Sequence, residues 1–244
     1  MPFRYLRGLT APERTERSNF HLGITLCFVA GATNAGGFLA VGQYTSHMTG
    51  ILSGLADNWV LGNISLMFGA LASVLMFMAG AITSSLLINW ARRRGRRSLY
   101  ALPLLLESLL LLCFGLLGAQ LDSHSNSLVP LTVLLLCYIM GLQNAIITKI
   151  SKAVIRTTHL TGLITDISIE LGRLFYWNRN SNAPNEVKVL CDRKHLKVQS
   201  SLVLAFLCGA ISGAYGFNHL GFSSTIFLAL ILAILSIGPM VEDF

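Results

Sequence analysis

Charge is scarce in this sequence. Charged residues fill 12% of its 244 positions, about half of what a soluble globular domain carries. That is too little polar surface to coat a water-soluble fold of this length. Acidic residues are the scarcer kind, 11 against 18 Lys and Arg. A secretory signal is also missing: the first twenty residues, MPFRYLRGLTAPERTERSNF, are polar and basic, with no short apolar stretch ending in small residues. The first apolar run is therefore expected to persist as a helix. The cysteines form no disulfide framework. Cys27, Cys113, Cys137 and Cys208 lie in apolar segments and Cys191 in a basic loop, where small core hydrophobes are the expected reading. No H-E-x-x-H, G-x-S-x-G, phosphate loop or C-x-x-C occurs. No catalytic residue, cofactor or metal site is assigned, and the chain is not expected to be an enzyme.

What is abundant is uninterrupted apolar sequence. Hydrophobic residues make up 53% of the chain and gather in runs of about twenty, each long enough at 1.5 Å per residue to cross a hydrocarbon core of roughly 30 Å. Within lipid every backbone amide must be paired internally, so such runs are helices. They fall at about 21–42, 64–90, 99–118, 128–149, 200–217 and 222–240. The fold expected is all-α, a polytopic membrane protein of six transmembrane helices. A cytoplasmic segment, 1–20, precedes one membrane domain, 21–244. Lys and Arg cluster in the segments before the first helix, after the second, after the fourth and before the fifth. The connections 43–63, 119–127 and 218–221 hold none. Six helices put every basic block on one side, so by the positive-inside rule both termini are cytoplasmic. Basic residues confined to short blocks beside apolar runs read as topology signals that touch lipid headgroups rather than as a nucleic-acid surface.

An internal repeat organises the chain. Gly31-Ala32-Thr33-Asn34-Ala35 resembles Gly141-Leu142-Gln143-Asn144-Ala145. Thr45-Ser46-His47-Met48-Thr49-Gly50 resembles Thr157-Thr158-His159-Leu160-Thr161-Gly162. Phe77-Met78-Ala79-Gly80-Ala81-Ile82-Thr83 resembles Phe206-Leu207-Cys208-Gly209-Ala210-Ile211-Ser212. The order is the same in both copies, which sets repeat one at 21–119 and repeat two at 128–240, with a hydrophilic insertion at 177–199. Three helices per copy is an odd number, so the copies are expected to lie inverted in the bilayer. Inverted repeats are a transporter signature, with the site at their interface.

The polar residues inside this frame are the candidates for function. Residues 47–57 and 159–172 are too short to span and too apolar for solvated loops; each reads as a short helix, either re-entrant or lying in the interface. A substrate site is expected at Asn34, Thr45, His47, Thr49, Gly50, Asn144, Thr157, His159, Thr161 and Gly162. The two Asn side chains either line a central path or serve as glue between helices. The two His side chains either titrate in a proton-coupled cycle or bond to neighbouring hydroxyls and carbonyls; too few further ligands lie at sensible spacing for a metal. Glu107, deep in LPLLLESLLLLCFGLLG, reads as a proton or ion relay or as a neutral acid bonded to a neighbouring helix. Asp166 and Glu170 join it as relay candidates, and share a helical face with Arg173. The Gly-rich stretches, with Gly209 and Gly213 at G-x-x-x-G spacing, read as packing faces compatible with a homodimer.

The stretch GATNAGGFLAVGQYTSHMTGILSGLADNWVLG resembles the YoaK-type family of small bacterial membrane proteins, a family defined around a domain of unknown function. The similarity extends over roughly 20–240. It implies a bacterial inner-membrane protein, of a kind sometimes labelled a permease, and implies no substrate. Many relatives carry a small polar residue after the Thr-Gly pair; Ile51 stands there in this chain, which argues against a role needing a polar group at that position. The function expected is a transporter or permease for a small polar solute or ion. The alternative is a scaffold or sensor acting through the basic cytoplasmic loop. The expected partners are the lipid bilayer and an unknown small solute, with no nucleic acid.

Overall fold

A computed structural model describes residues 16–96, 98–121, 125–150, 160–176 and 188–241. Its elements, in chain order, are the helices α1 (Glu16–Val41), α2 (Met48–Val60), α3 (Ile64–Arg93), α4 (Ala101–Gly118), α5 (Ser125–Ile150), α6 (Leu160–Phe175), α7 (Arg193–Leu220), a 3-10 turn (Gly221–Ser223) and α8 (Ser224–Val241). Among the described residues there is no strand.

Five helical stretches are long and apolar enough to cross a membrane: Arg17–Val41, Ile64–Arg93, Ala101–Gly118, Leu128–Lys149 and Arg193–Ile237. The last, 45 residues long, contains α7 and most of α8. The break between them is local chemistry. Gly221 caps α7 with φ 59° and ψ −148°, a conformation that a side chain would oppose, and the chain leaves in a new direction. The outward surface supports the membrane reading. Phe68, Leu75, Ile82 and Leu86 of α3, Leu204, Leu207 and Ile211 of α7, and Phe227, Leu230 and Ile234 of α8 are exposed. In water an apolar surface of this extent would drive aggregation; lipid tails solvate it.

The long helices pack in pairs, α1 on α7, α3 on α5 and α4 on α8, while α5 also touches α4 and α1. The first two pairs run parallel. A Cβ on Gly209 would strike the Phe28 carbonyl, and one on Gly213 would strike Ala32. In the other pair, Ser85 accepts from Lys149 Nζ at 2.8 Å, and Gly141 abuts the Phe77 carbonyl. The third pair is antiparallel, with the Ser108 hydroxyl donating to the Ala229 carbonyl at 2.8 Å and Gly118 pressed on the Phe222 ring. The Gln143 amide donates to the Leu26 carbonyl at 3.4 Å, which ties the second half of α5 to the first half of α1. These directions bring Arg17, Arg92, Arg93, Lys149 and Arg193 to one end of the bundle. The buried core, including Leu22, Leu26, Leu104, Leu111, Met140 and Ile146, lies where α5 packs against α1 and α4.

The fifth apolar helix starts earlier than hydropathy places it, at Arg193 rather than about residue 200, so the last part of the 177–199 insertion is helical. Its start is set by a polar signal instead. The Asp192 carboxylate accepts from the Lys194 and His195 amides, each at 3.0 Å, an N-cap, and the first two turns stand among polar residues. Residues 177–187 of that insertion lie outside the described residues.

Candidate functional site

The first His-x-Thr-Gly motif folds back against the helix that precedes it. After α1 ends, the Ser46 hydroxyl donates to Asn34 Oδ1 at 3.0 Å. Asn34 lies seven residues before Val41, about 10 Å along the axis, so residues 42–47 descend beside α1 before α2 begins. His47 holds the N-cap position of α2 without a side-chain cap, and its carbonyl accepts from the Ile51 amide at 3.1 Å. Its ring lies directly on Gly50, where a Cβ would collide with it. This explains the spacing of the motif: the imidazole occupies the space that a side chain three residues on would need.

A cavity of about 630 Å³ opens at this point. Gly31, Asn34 and Phe38 of α1 form one wall, Tyr44, Ser46 and His47 a second, Phe206, Ala210 and Ala214 of α7 a third, and Leu160 and Thr161 of α6 the rest. The starts of both short helices therefore face one space. The helices themselves pack elsewhere, α2 on α3 and α6 on α7. Phe38 and Tyr44 stack, with ring centroids 4.8 Å apart and planes at 19°. Among the described residues no Asp, Glu, Lys or Arg lines the cavity. A second groove, of about 710 Å³, runs between α2, α3 and the start of α5 and shares His47 and Tyr44 with the first; Gly50, Asn58, Ser73 and Pro130 also line it.

The candidate residues divide between this place and others. Asn34, His47 and Thr161 line the first cavity, and His47 and Gly50 the groove. Thr45 is buried behind it, while Thr49 is exposed and lines neither space. Gly162 sits in the first turn of α6, half-buried. Thr157 and His159 lie outside the described residues. Asn144 is not at the cavity; its amide donates to the Met140 carbonyl of its own helix at 2.8 Å. Glu107 is fully buried within α4, and among the described residues neither carboxyl oxygen has a hydrogen-bond partner.

Asp166 and Glu170 turn away from the cavity toward the start of α7. Glu170 accepts from Arg173 at 2.7 Å and from the Asp192 amide at 2.8 Å. Asp166 accepts from Gln199 at 2.9 Å instead of joining Arg173. Both carboxylates thus hold α6 to α7. Among the described residues no group of three His, Cys, Asp or Glu side chains could hold a metal ion.

Sequence reasoning passed over Phe38, Tyr44 and Ser46. It also passed over Thr33 and Gln143, equivalent positions beside the two paired Asn residues. Each is fully buried with one oxygen that has no partner among the described residues. Adjacent helical positions differ by about 100°, so Thr33 faces the core while Asn34 faces the cavity. The signal was the recurrence of a polar pair at both places, Thr-Asn and Gln-Asn.

The family described as "Protein of unknown function (DUF1275)" matches residues 22–238. This chain belongs to that family. A relative described as UPF0700 transmembrane protein YoaK, from Bacillus subtilis (strain 168), is 33% identical over 160 residues, 62% of this chain and 67% of the relative. No solved structure matches the chain. A DUF1275 chain is thus an all-helical membrane protein here, and the resemblance seen in the GATNAGG–HMTG stretch holds over most of its length.

Proposed function

We propose that this DUF1275 protein is a transporter or permease for a small polar solute, resident in the bacterial inner membrane with both termini cytoplasmic, and not an enzyme. The observation that carries the reading is the 630 Å³ cavity in which Asn34, Ser46 and His47 meet the first turn of α6. In this reading six helices cross the bilayer as two inverted three-helix repeats, with α2 and α6 re-entrant. The glycine contacts favour that arrangement. Gly31 on Phe206 matches Gly141 on Phe77, and Gly209 on Phe28 matches Gly80 on Tyr138, each pair joining equivalent positions of the repeat. The basic residues gathered at one end of the bundle favour that orientation, with anionic lipid headgroups as their partners in this reading. Glu107 is a candidate proton or ion relay because an intramembrane carboxyl without a partner is costly to keep.

Uptake of a panel of small polar solutes into proteoliposomes tests the proposal. Asn34→Ala and His47→Ala are expected to cut uptake of the transported solute by about tenfold, the effect of roughly 1.4 kcal/mol of lost hydrogen bonding, with folding unchanged by circular dichroism. An absence of uptake across the panel, with a deletion strain complemented equally by both variants, would reject it.

A further inference from the structure

We propose that the cavity between α1, α6 and α7 takes an uncharged, planar solute with an apolar face and one hydrogen-bonding edge, and excludes ions of both signs. The inference rests on the transport reading for its purpose, but its argument is the chemistry of the walls. The Phe38–Tyr44 stack, at 4.8 Å and 19°, presents aromatic surface beside Ala210 and Ile211 of α7. Such a surface favours a flat, apolar body. The polar side is concentrated in one place. Asn34 Oδ1 is occupied by the Ser46 hydroxyl at 3.0 Å, which fixes the orientation of the amide. Its NH2 group then has no acceptor among the described residues, and neither the His47 ring nor the Tyr44 hydroxyl has a hydrogen-bond partner there. An amide or carbonyl edge satisfies these groups.

The described walls decide the charge. Among the described residues no Asp or Glu lines the cavity to receive a cation and no Lys or Arg to receive an anion. An ion entering an apolar enclosure without a counter-charge loses hydration that neutral dipoles repay only in part. Glu107 does not supply the missing charge, since it lines neither this cavity nor the neighbouring groove.

Three probes of one shape isolate charge: benzamide, benzoate and benzamidinium. Binding is measured by saturation-transfer NMR on the full chain in lipid nanodiscs, with empty nanodiscs as the blank for partitioning. The wild-type protein is expected to bind benzamide at least about tenfold more tightly than either ion, a difference of roughly 1.4 kcal/mol. Asn34→Asp, which keeps the shape and adds a negative charge, is expected to reverse the order in favour of benzamidinium. Equal binding of the three probes, tighter binding of an ion, or a benzamide signal no greater than in empty nanodiscs overturns the inference. The wild-type ranking stands by itself if the variant fails to fold. Uptake of the same probes into proteoliposomes separates the two claims. Benzamide binding without uptake of any solute removes transport and keeps the ligand class. Uptake of the ions without benzamide binding keeps transport and removes the ligand class.

Discussion

The two short helices are anchored at their far ends by different chemistry. Eleven positions after each motif histidine stands the residue that ties the short helix to the start of the next long one: Asn58 in the first half, Glu170 in the second. Asn58 accepts at 3.2 Å from the side chain of Asn63, the N-cap of α3, in an exposed position. Glu170 is buried and accepts at 2.8 Å from the backbone amide of Asp192, the N-cap of α7, and at 2.7 Å from Arg173. The same joint is thus neutral and wet in one half, ionic and mostly enclosed in the other. Chain length explains the difference. Only Leu61, Gly62 and Asn63 separate α2 from α3, whereas 176–192 separate α6 from α7. A short turn enforces proximity by itself. A long connection leaves proximity entropically costly, and charge-assisted hydrogen bonds offset that cost.

The comparison can be pressed at several points, and the helix crossings come first. Gly80→Val and Gly209→Val each drive a side chain into a backbone carbonyl of the parallel partner, Tyr138 or Phe28. Each is expected to cost more than about 4 kcal/mol and to abolish a monodisperse peak in size-exclusion chromatography. One variant tolerated and the other not would show that the halves are unlike where their packing looks alike. Next is the joint itself. Glu170→Ala strands the Asp192 amide and Arg173, at a cost of about 2–3 kcal/mol, seen as faster hydrogen exchange across 188–195. Asn58→Ala loses two neutral bonds, the one from Asn63 and its own donation to the Gly54 carbonyl at 2.7 Å, at a cost of about 1 kcal/mol, with little change in exchange near Asn63. Equal effects would erase the contrast.

The smallest effect concerns pH. Hydrogen bonds from the His195 and Lys194 amides hold the Asp192 carboxyl below its ordinary value, the His195 bond contributing most. A carboxyl depressed in the folded state adds stability above its unfolded pKa and surrenders it as pH falls through the folded value. Exchange protection of the first turn of α7 is therefore expected to fall on acidification below the ordinary carboxylate range. The first turn of α3, where Asn63 makes no side-chain cap, has no such dependence. Asp192→Asn should flatten the response of α7.

Much of the architecture was readable before any coordinates. The first four apolar runs correspond to α1, α3, α4 and α5 with shifts of a few residues at their ends, because length and apolarity are what lipid demands of a helix. The start of α7 was not readable in that way, since Asp192 and the basic turn after it are signals of water rather than of lipid. Both short helices also follow their motifs, α2 from Met48 and α6 from Leu160. The site was legible only in part. Asn34 and His47 stood out as polar residues in recurring strings and do share a cavity. Asn144 stood out equally and sits elsewhere. Asp166 and Glu170 were read as relay candidates, yet their hydrogen bonds run to Gln199, Arg173 and Asp192.

The sequence by itself determined that this is a membrane protein of apolar helices and where its short helices begin. Those features depend on local length, polarity and spacing, which the order of residues contains. Only the tertiary structure decided which polar groups meet. Whether Thr33 or Asn34 faces the cavity, whether Glu170 points to Arg173 or into a pathway, and that Tyr44 stacks on Phe38 all depend on the rotation of one helix against another. That rotation is set by close backbone contact at Gly31, Gly80, Gly141 and Gly209, between residues far apart in the chain.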